Sequence, residues 1–320
     1  MTTSAPALHH MVCNAGPQAF RQAWWQWGQP DAAHVVVCVH GLTRQGRDFD
    51  ALAQTLLADA AARGLPPLRI ICPDIAGRGQ SEWLRDHTLY QVPVYVGAML
   101  QLLAHLQQQA PITRLDWVGT SMGGLIGLGM TAAQALPVWP QGVPHFNRMV
   151  LNDVGPTLSW QALSRIGSYV GDTGHFASEA EAVAHLRERF AAFGPHSDEE
   201  WTQLNQAQLM PHPQGGWRQH YDPAIGRAFG DISQDAWAQG EAMLWQMYDA
   251  IQAPLLLLRG ADSDLLPHET AQAMRQRGPR AQLVEFAGVG HAPTIVAQDQ
   301  RDAVTGFLLN PLPEPEAQAA

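Results

Sequence analysis

Nothing in this chain of 320 residues approaches the roughly 18 consecutive apolar residues that span a bilayer; the run at 255–258 is closed off by Pro254 and Arg259. No membrane partner is expected. Basic residues are scarce. Lys and Arg together number 19 against 29 Asp and Glu, a formal net charge of −10 at pH 7, and no basic run occurs. A nucleic-acid partner would need a positive footprint, so nucleic acid is excluded. The first 30 residues carry His9, His10, Trp24, Trp25 and Trp27 but no basic segment followed by an apolar core, so no secretory signal is expected. Cysteine is nearly missing: Cys13, Cys38 and Cys72 form an odd set without a C-x-x-C pair. Cys38 and Cys72 lie in apolar runs, where a reduced thiol behaves as a small hydrophobe. A reducing, cytoplasmic setting fits, and a cysteine nucleophile does not.

What is present is enough to bury a large core. The chain is 46% hydrophobic, and its length suits one α/β domain with an insertion. Apolar runs at 34–39, 68–72, 112–118, 149–152, 254–259 and 282–286 read as strands, and the segments 49–62, 96–109, 122–136, 268–277 and one ending near 309 read as helices. Asp48 is placed to cap the first of these helices. Strands alternating with helices imply a mostly parallel sheet covered on both faces. Between 156 and 246 the strand runs cease, and the segment holds five of the 11 tryptophans. The expected organisation is a core over 1–155, a helical cap over 156–246 and the rest of the core over 247–320. The Pro-rich tail at 311–315 is expected to be disordered.

The strand at 112–118 runs straight into Gly119-Thr120-Ser121-Met122-Gly123 and then a helix. A serine on so sharp a turn has its hydroxyl raised above the end of the sheet, and small residues beside it keep the turn free of Cβ clashes. Ser121 is therefore the candidate nucleophile. It needs a general base, itself oriented by an acid. His291, in Gly290-His291-Ala292 after the last strand, is the candidate base. Asp262 and Asp264 follow the strand at 254–259, and Asp153 follows the strand at 149–152. All three satisfy the order Ser, Asp, His, so order does not choose among them. Charge that builds on the attacked oxygen needs donors in place: Met122 N–H is one, and the loop His40-Gly41-Leu42-Thr43 should supply the other through Leu42 N–H. His40 is expected to orient that loop. No metal or other cofactor is called for.

The set His40-Gly41, Asp74-x-x-Gly77-x-Gly79-x-Ser81, Gly119-x-Ser121-x-Gly123, Gly260…Asp264 and Gly290-His291 resembles the α/β-hydrolase superfamily, in its order, over residues 34–309. The run 44–50, with 71–74 and 151–156, is similar to a bacterial subgroup of carboxylesterases. Some members of that subgroup resemble enzymes that cleave aliphatic polyesters such as polylactide. The resemblance implies an α/β-hydrolase fold, and it implies Asp264 as the acid, because the superfamily usually carries it after the seventh strand. A minority carry it after the sixth, the position of Asp153. The resemblance further implies ester hydrolysis through an acyl-serine, with uncharged aliphatic esters and polyesters as the small-molecule or polymer partners. The alternatives are C–C bond hydrolysis of a ring-cleavage product by the same three residues, and a non-catalytic ligand receptor on this fold.

Overall fold

A computed structural model describes residues 5–231 and 233–311; most of the Pro-rich tail, 312–315 and onward, lies outside them. In chain order the elements are β1 (Ala7–Ala15), β2 (Gln18–Gly28), β3 (His34–Val39), α1 (Asp50–Ala62), β4 (Leu68–Asp74), α2 (Val92–Gln109), β5 (Arg114–Thr120), α3 (Met122–Gln134) and β6 (Phe146–Asn152). Then follow α4 (Trp160–Gly167), α5 (Glu179–Arg189), α6 (Asp198–Gln206), β7 (Leu209–Pro211), β8 (Trp217–Gln219), α7 (Ile225–Gly230) and α8 (Gln234–Asp249). The last are β9 (Leu255–Gly260), α9 (His268–Gln276), β10 (Gln282–Phe286) and α10 (Gln298–Leu309). Among the described residues no helix is long and apolar enough to cross a membrane.

Eight strands form one sheet in the order β1-β2-β4-β3-β5-β6-β9-β10. The pairs from β4 to β10 are all parallel, and β2 alone runs against its neighbours. The central strand β3 explains the layering. Val35, Val37 and Val39 point into a core shared with Met99 and Leu103 of α2 and Ile126 of α3. Val36 and Cys38 point the other way, among Leu52 and Leu56 of α1 and Val304 and Leu308 of α10. Period-two side chains on a strand buried on both faces thus make two cores from one apolar run. Cys38 and Cys72 are free and fully buried within the second core.

Two features depart from the sequence reading. No strand is expected before residue 34, yet β1 and β2 form a hairpin at the sheet edge around Gly16, whose φ of +57° suits the first central position of a primed turn. Trp24 and Trp27 of β2 are buried, while Gln18, Arg21 and Gln22 interrupt the apolar pattern that would announce a strand. Asp48 does not cap α1. It lies in a short 3₁₀ turn and receives the guanidinium of Arg44, Nε and Nη2 each at 2.8 Å.

Candidate active site

Ser121 sits between β5 and α3 with φ +52° and ψ −116°, a left-handed conformation that L side chains adopt only under constraint. The constraint is steric. A Cβ on Gly123 would come within 2.0 Å of the Val39 carbonyl oxygen, and one on Gly119 within 2.4 Å of the Gly123 carbonyl oxygen. Both obstacles are backbone, so neither can swing aside. The Ser121 amide is held by the Asn152 carbonyl at 2.9 Å, which ties the elbow to β6.

His291 lies on the loop after β10. Its Nε2 is 2.9 Å from Ser121 Oγ, and its Nδ1 is 2.7 Å from Asp153 Oδ2. Asn152 holds the loop in place by donating from Nδ2 to the Pro293 carbonyl at 2.7 Å and to Thr120 Oγ1 at 3.0 Å. The carboxylate beside the imidazole is therefore Asp153, and the expectation for Asp264 is corrected. Register supplies the reason. Thr120 of β5 pairs with Asn152 of β6, so the residue after one strand stands beside the residue after the other. Asp153 is fully buried and accepts the Gly260 amide on Oδ1 at 3.0 Å and the Ser263 hydroxyl on Oδ2 at 2.6 Å. The turn after β9 points Ser263 inward and both of its carboxylates outward. Asp264 is half exposed and paired with Arg165 of α4, and Asp262 is exposed as well. Sequence reasoning missed Ser263, whose only signal was its place in a turn already suspected for its acids.

Leu42 and Met122 flank Ser121 on the cavity wall. Among the described residues neither backbone amide donates to a protein acceptor, so both remain available to a ligand oxygen. His40 is buried behind this loop. The Ile75 amide donates to its Nε2 at 3.0 Å, so Nδ1 carries the proton and donates to the Gly41 carbonyl at 2.7 Å. Burial pushes the imidazole down to about 3, which keeps this pair of bonds intact in neutral solution. In the unfolded chain the same group titrates near 6.5, so the unfolded state takes up a proton that the folded state refuses. Stability from His40 is thus complete above pH 6.5 and declines as pH falls from there toward 3. The unfolding free energy should drop by up to about 1.4 kcal/mol per pH unit more steeply than in His40→Gln. Urea titrations between pH 6.5 and 4.5 would show the difference, and parallel slopes would refute it.

Above Ser121 opens a cavity of about 480 Å³. Its sides are largely apolar, and about half of the residues that line it come from the segment between β6 and β9, including Leu163, Ile166, Phe190 and Phe229. Among the described residues no cluster of three or more His, Cys, Asp or Glu could hold a metal ion.

A serine elbow at the carboxyl end of a central parallel strand, facing a histidine from the last loop, defines a hydrolase of the α/β type. The chain belongs to the alpha/beta hydrolase family, which it matches over residues 36–305. It is 43% identical over 298 residues to a 3-hydroxybutyrate-oligomer hydrolase of Cupriavidus necator, covering 92% of this chain and 94% of that one. It is 25% identical to an esterase of Mycobacterium tuberculosis over 82% of this chain and 78% of that one. The structure of an alpha/beta hydrolase from Novosphingobium aromaticivorans superposes with a TM-score of 0.76 at 30% identity, covering 95% of this chain and 98% of that one.

Proposed function

We propose that the protein hydrolyses carboxylic esters through an acyl-enzyme on Ser121, and that short hydroxyalkanoate oligomers are among its substrates. The observation that carries this reading is the relay from Ser121 Oγ through His291 to buried Asp153, set at the floor of an apolar cavity. Asp153 accepts a hydrogen bond from His291 Nδ1–H, which leaves Nε2 free to take the Ser121 proton as Oγ attacks the ester carbonyl. The tetrahedral oxyanion sits between the amides of Leu42 and Met122. His291 then passes its proton to the departing alkoxide, and the acyl-serine is left. Water, deprotonated by the same Nε2, attacks that acyl group and releases the acid with Ser121 restored. The segment at 156–246 serves as the cap that closes the acyl cavity. The similarity to the 3-hydroxybutyrate-oligomer hydrolase supports the substrate class.

A 3-hydroxybutanoyl group is uncharged, and the apolar sides of the cavity suit it. A succinyl group would bring a carboxylate among residues such as Leu163 and Phe229, where an unpaired charge costs several kcal/mol. With one common leaving group, kcat/KM for butanoyl and 3-hydroxybutanoyl esters should exceed that for the succinyl monoester by about tenfold or more. The dimer of 3-hydroxybutyrate should be cleaved to monomer, and a fluorophosphonate should label one residue, Ser121. A protein that is neither labelled nor able to cleave any of these esters would overturn the reading.

A further inference from the structure

Arg78 occupies the variable position between Gly77 and Gly79, whose φ values of +82° and +52° let the chain fold back and aim the side chain inward. It is fully buried. Its Nε donates to the Leu42 carbonyl at 2.8 Å, and its Nη1 to the Ala76 carbonyl at 2.7 Å and the Tyr95 hydroxyl at 2.9 Å. Nη2 meets only Met122 Sδ, at 3.6 Å, which is a weak acceptor. The guanidinium carbon lies 5.1 Å from the ring centre of Tyr95 and 5.6 Å from that of Tyr90. Leu42, Tyr90, Tyr95 and Met122 all face the cavity from the other side. Arg78 thus stands directly behind the wall that carries both free amides.

Its charge has no direct partner: buried Asp222 stands behind Tyr90, whose hydroxyl donates to it at 2.5 Å. Arg44 and Arg259, buried nearly as deeply, hold carboxylates at 2.8 and 2.7 Å, and Arg69 and Arg148, also buried without an acid, bond carbonyls at the C-terminal ends of α2 and α10 rather than the wall of the cavity. Among the described residues no carboxylate stands at ion-pairing distance from Arg78. A guanidinium does not give up its proton in a protein, and burying one without a counter-charge is unfavourable. A purely structural tie between Leu42 and Tyr95 would not require a permanent cation. A reaction that develops negative charge on the far side of the wall gives that cation a partner, though only while the charge lasts.

We propose that Arg78 is a positioning residue of the ester-cleaving site, fixing Leu42 and Met122 and favouring the anionic tetrahedral intermediate over the neutral ester. The inference rests on the serine-hydrolase reading above. Because the neutral ester gains little from the charge, the effect belongs to kcat rather than KM. Arg78→Met should lower kcat on a butanoyl ester about 10²-fold with KM within about threefold. Its affinity for an alkyl boronic acid, which forms a tetrahedral anion on Ser121, should fall in step with kcat, while inhibition by the neutral product alcohol stays unchanged. Arg78→Lys, which keeps the charge and loses the fork, should recover at least tenfold of the lost kcat. It also serves as the test if the methionine variant does not fold: a folded lysine variant should keep kcat within about tenfold of wild type. Equal kcat in wild type and Arg78→Met, or a lysine variant with no kcat advantage over methionine, would overturn the proposal. So would losses that fall equally on boronate and alcohol binding. Fluorophosphonate labelling separates the two readings: an unlabelled wild type sinks the serine-hydrolase reading itself, whereas a labelled wild type with an unimpaired Arg78→Met sinks only the role of Arg78.

Discussion

Ser121→Ala is expected to lower ester turnover by on the order of 10⁶-fold, the scale seen when the nucleophile of a triad is removed. The buried hydroxyl of Ser263 does not replace it, being already donated to Asp153 at 2.6 Å. The fold should be indifferent to the change. Ser121 Oγ has one side-chain partner, His291, and the strain of the elbow is carried by the backbone, which alanine leaves as it was. The unfolding midpoint should therefore stay within a few degrees of wild type. Activity above a few per cent in a preparation free of wild-type enzyme would remove Ser121 from the mechanism.

Asp153→Asn should cost about 10⁴-fold in kcat, and Asp264→Asn less than twofold. The large loss follows from counting bonds. Asp153 accepts three: the Gly260 amide on Oδ1, and the Ser263 hydroxyl and the imidazole on Oδ2. An asparagine has one oxygen. If that oxygen faces Gly260, the amide nitrogen meets His291 and forces the tautomer whose Nε2 carries a proton, which cannot accept one from Ser121. If it faces His291, the Gly260 amide meets another donor in a buried site. Asp264 offers only an ion pair with Arg165, both side chains half exposed, and such pairs contribute about 0–1 kcal/mol. Steady-state kinetics of the two variants decide the matter; a crippled Asp264→Asn beside an active Asp153→Asn would reverse the assignment.

Much of the layering could be read along the chain because it is local. The Val-rich run of β3 and the glycines of the elbow announce themselves within a few residues, and Ser121 and His291 were expected together and lie 2.9 Å apart. The acid could not be read this way. Three aspartates follow two strands in the same order, and what separates them is the pairing of Thr120 with Asn152, a contact between residues 32 positions apart in the chain. Asp48 misled because its carboxylate is taken up by the guanidinium of Arg44, four residues before it, and by the distant amide of Gln208 rather than by the helix terminus beside it. The β1–β2 hairpin was missed because its polar residues hide a period that only the neighbouring strand β4 makes sense of.

The placement of Asp153 has a consequence for how such an enzyme can change. The relay closes over the ends of β5 and β6 and the loop after β10, and the turn after β9 adds only a buried serine and a backbone amide to it. Neither Asp262 nor Asp264 touches the relay, and Asp264 pairs instead with Arg165 of α4. About half of the residues that line the cavity lie between β6 and β9, outside the relay. Substitutions among that half are expected to change which esters enter while the contacts of Ser121, His291 and Asp153 stay as they are.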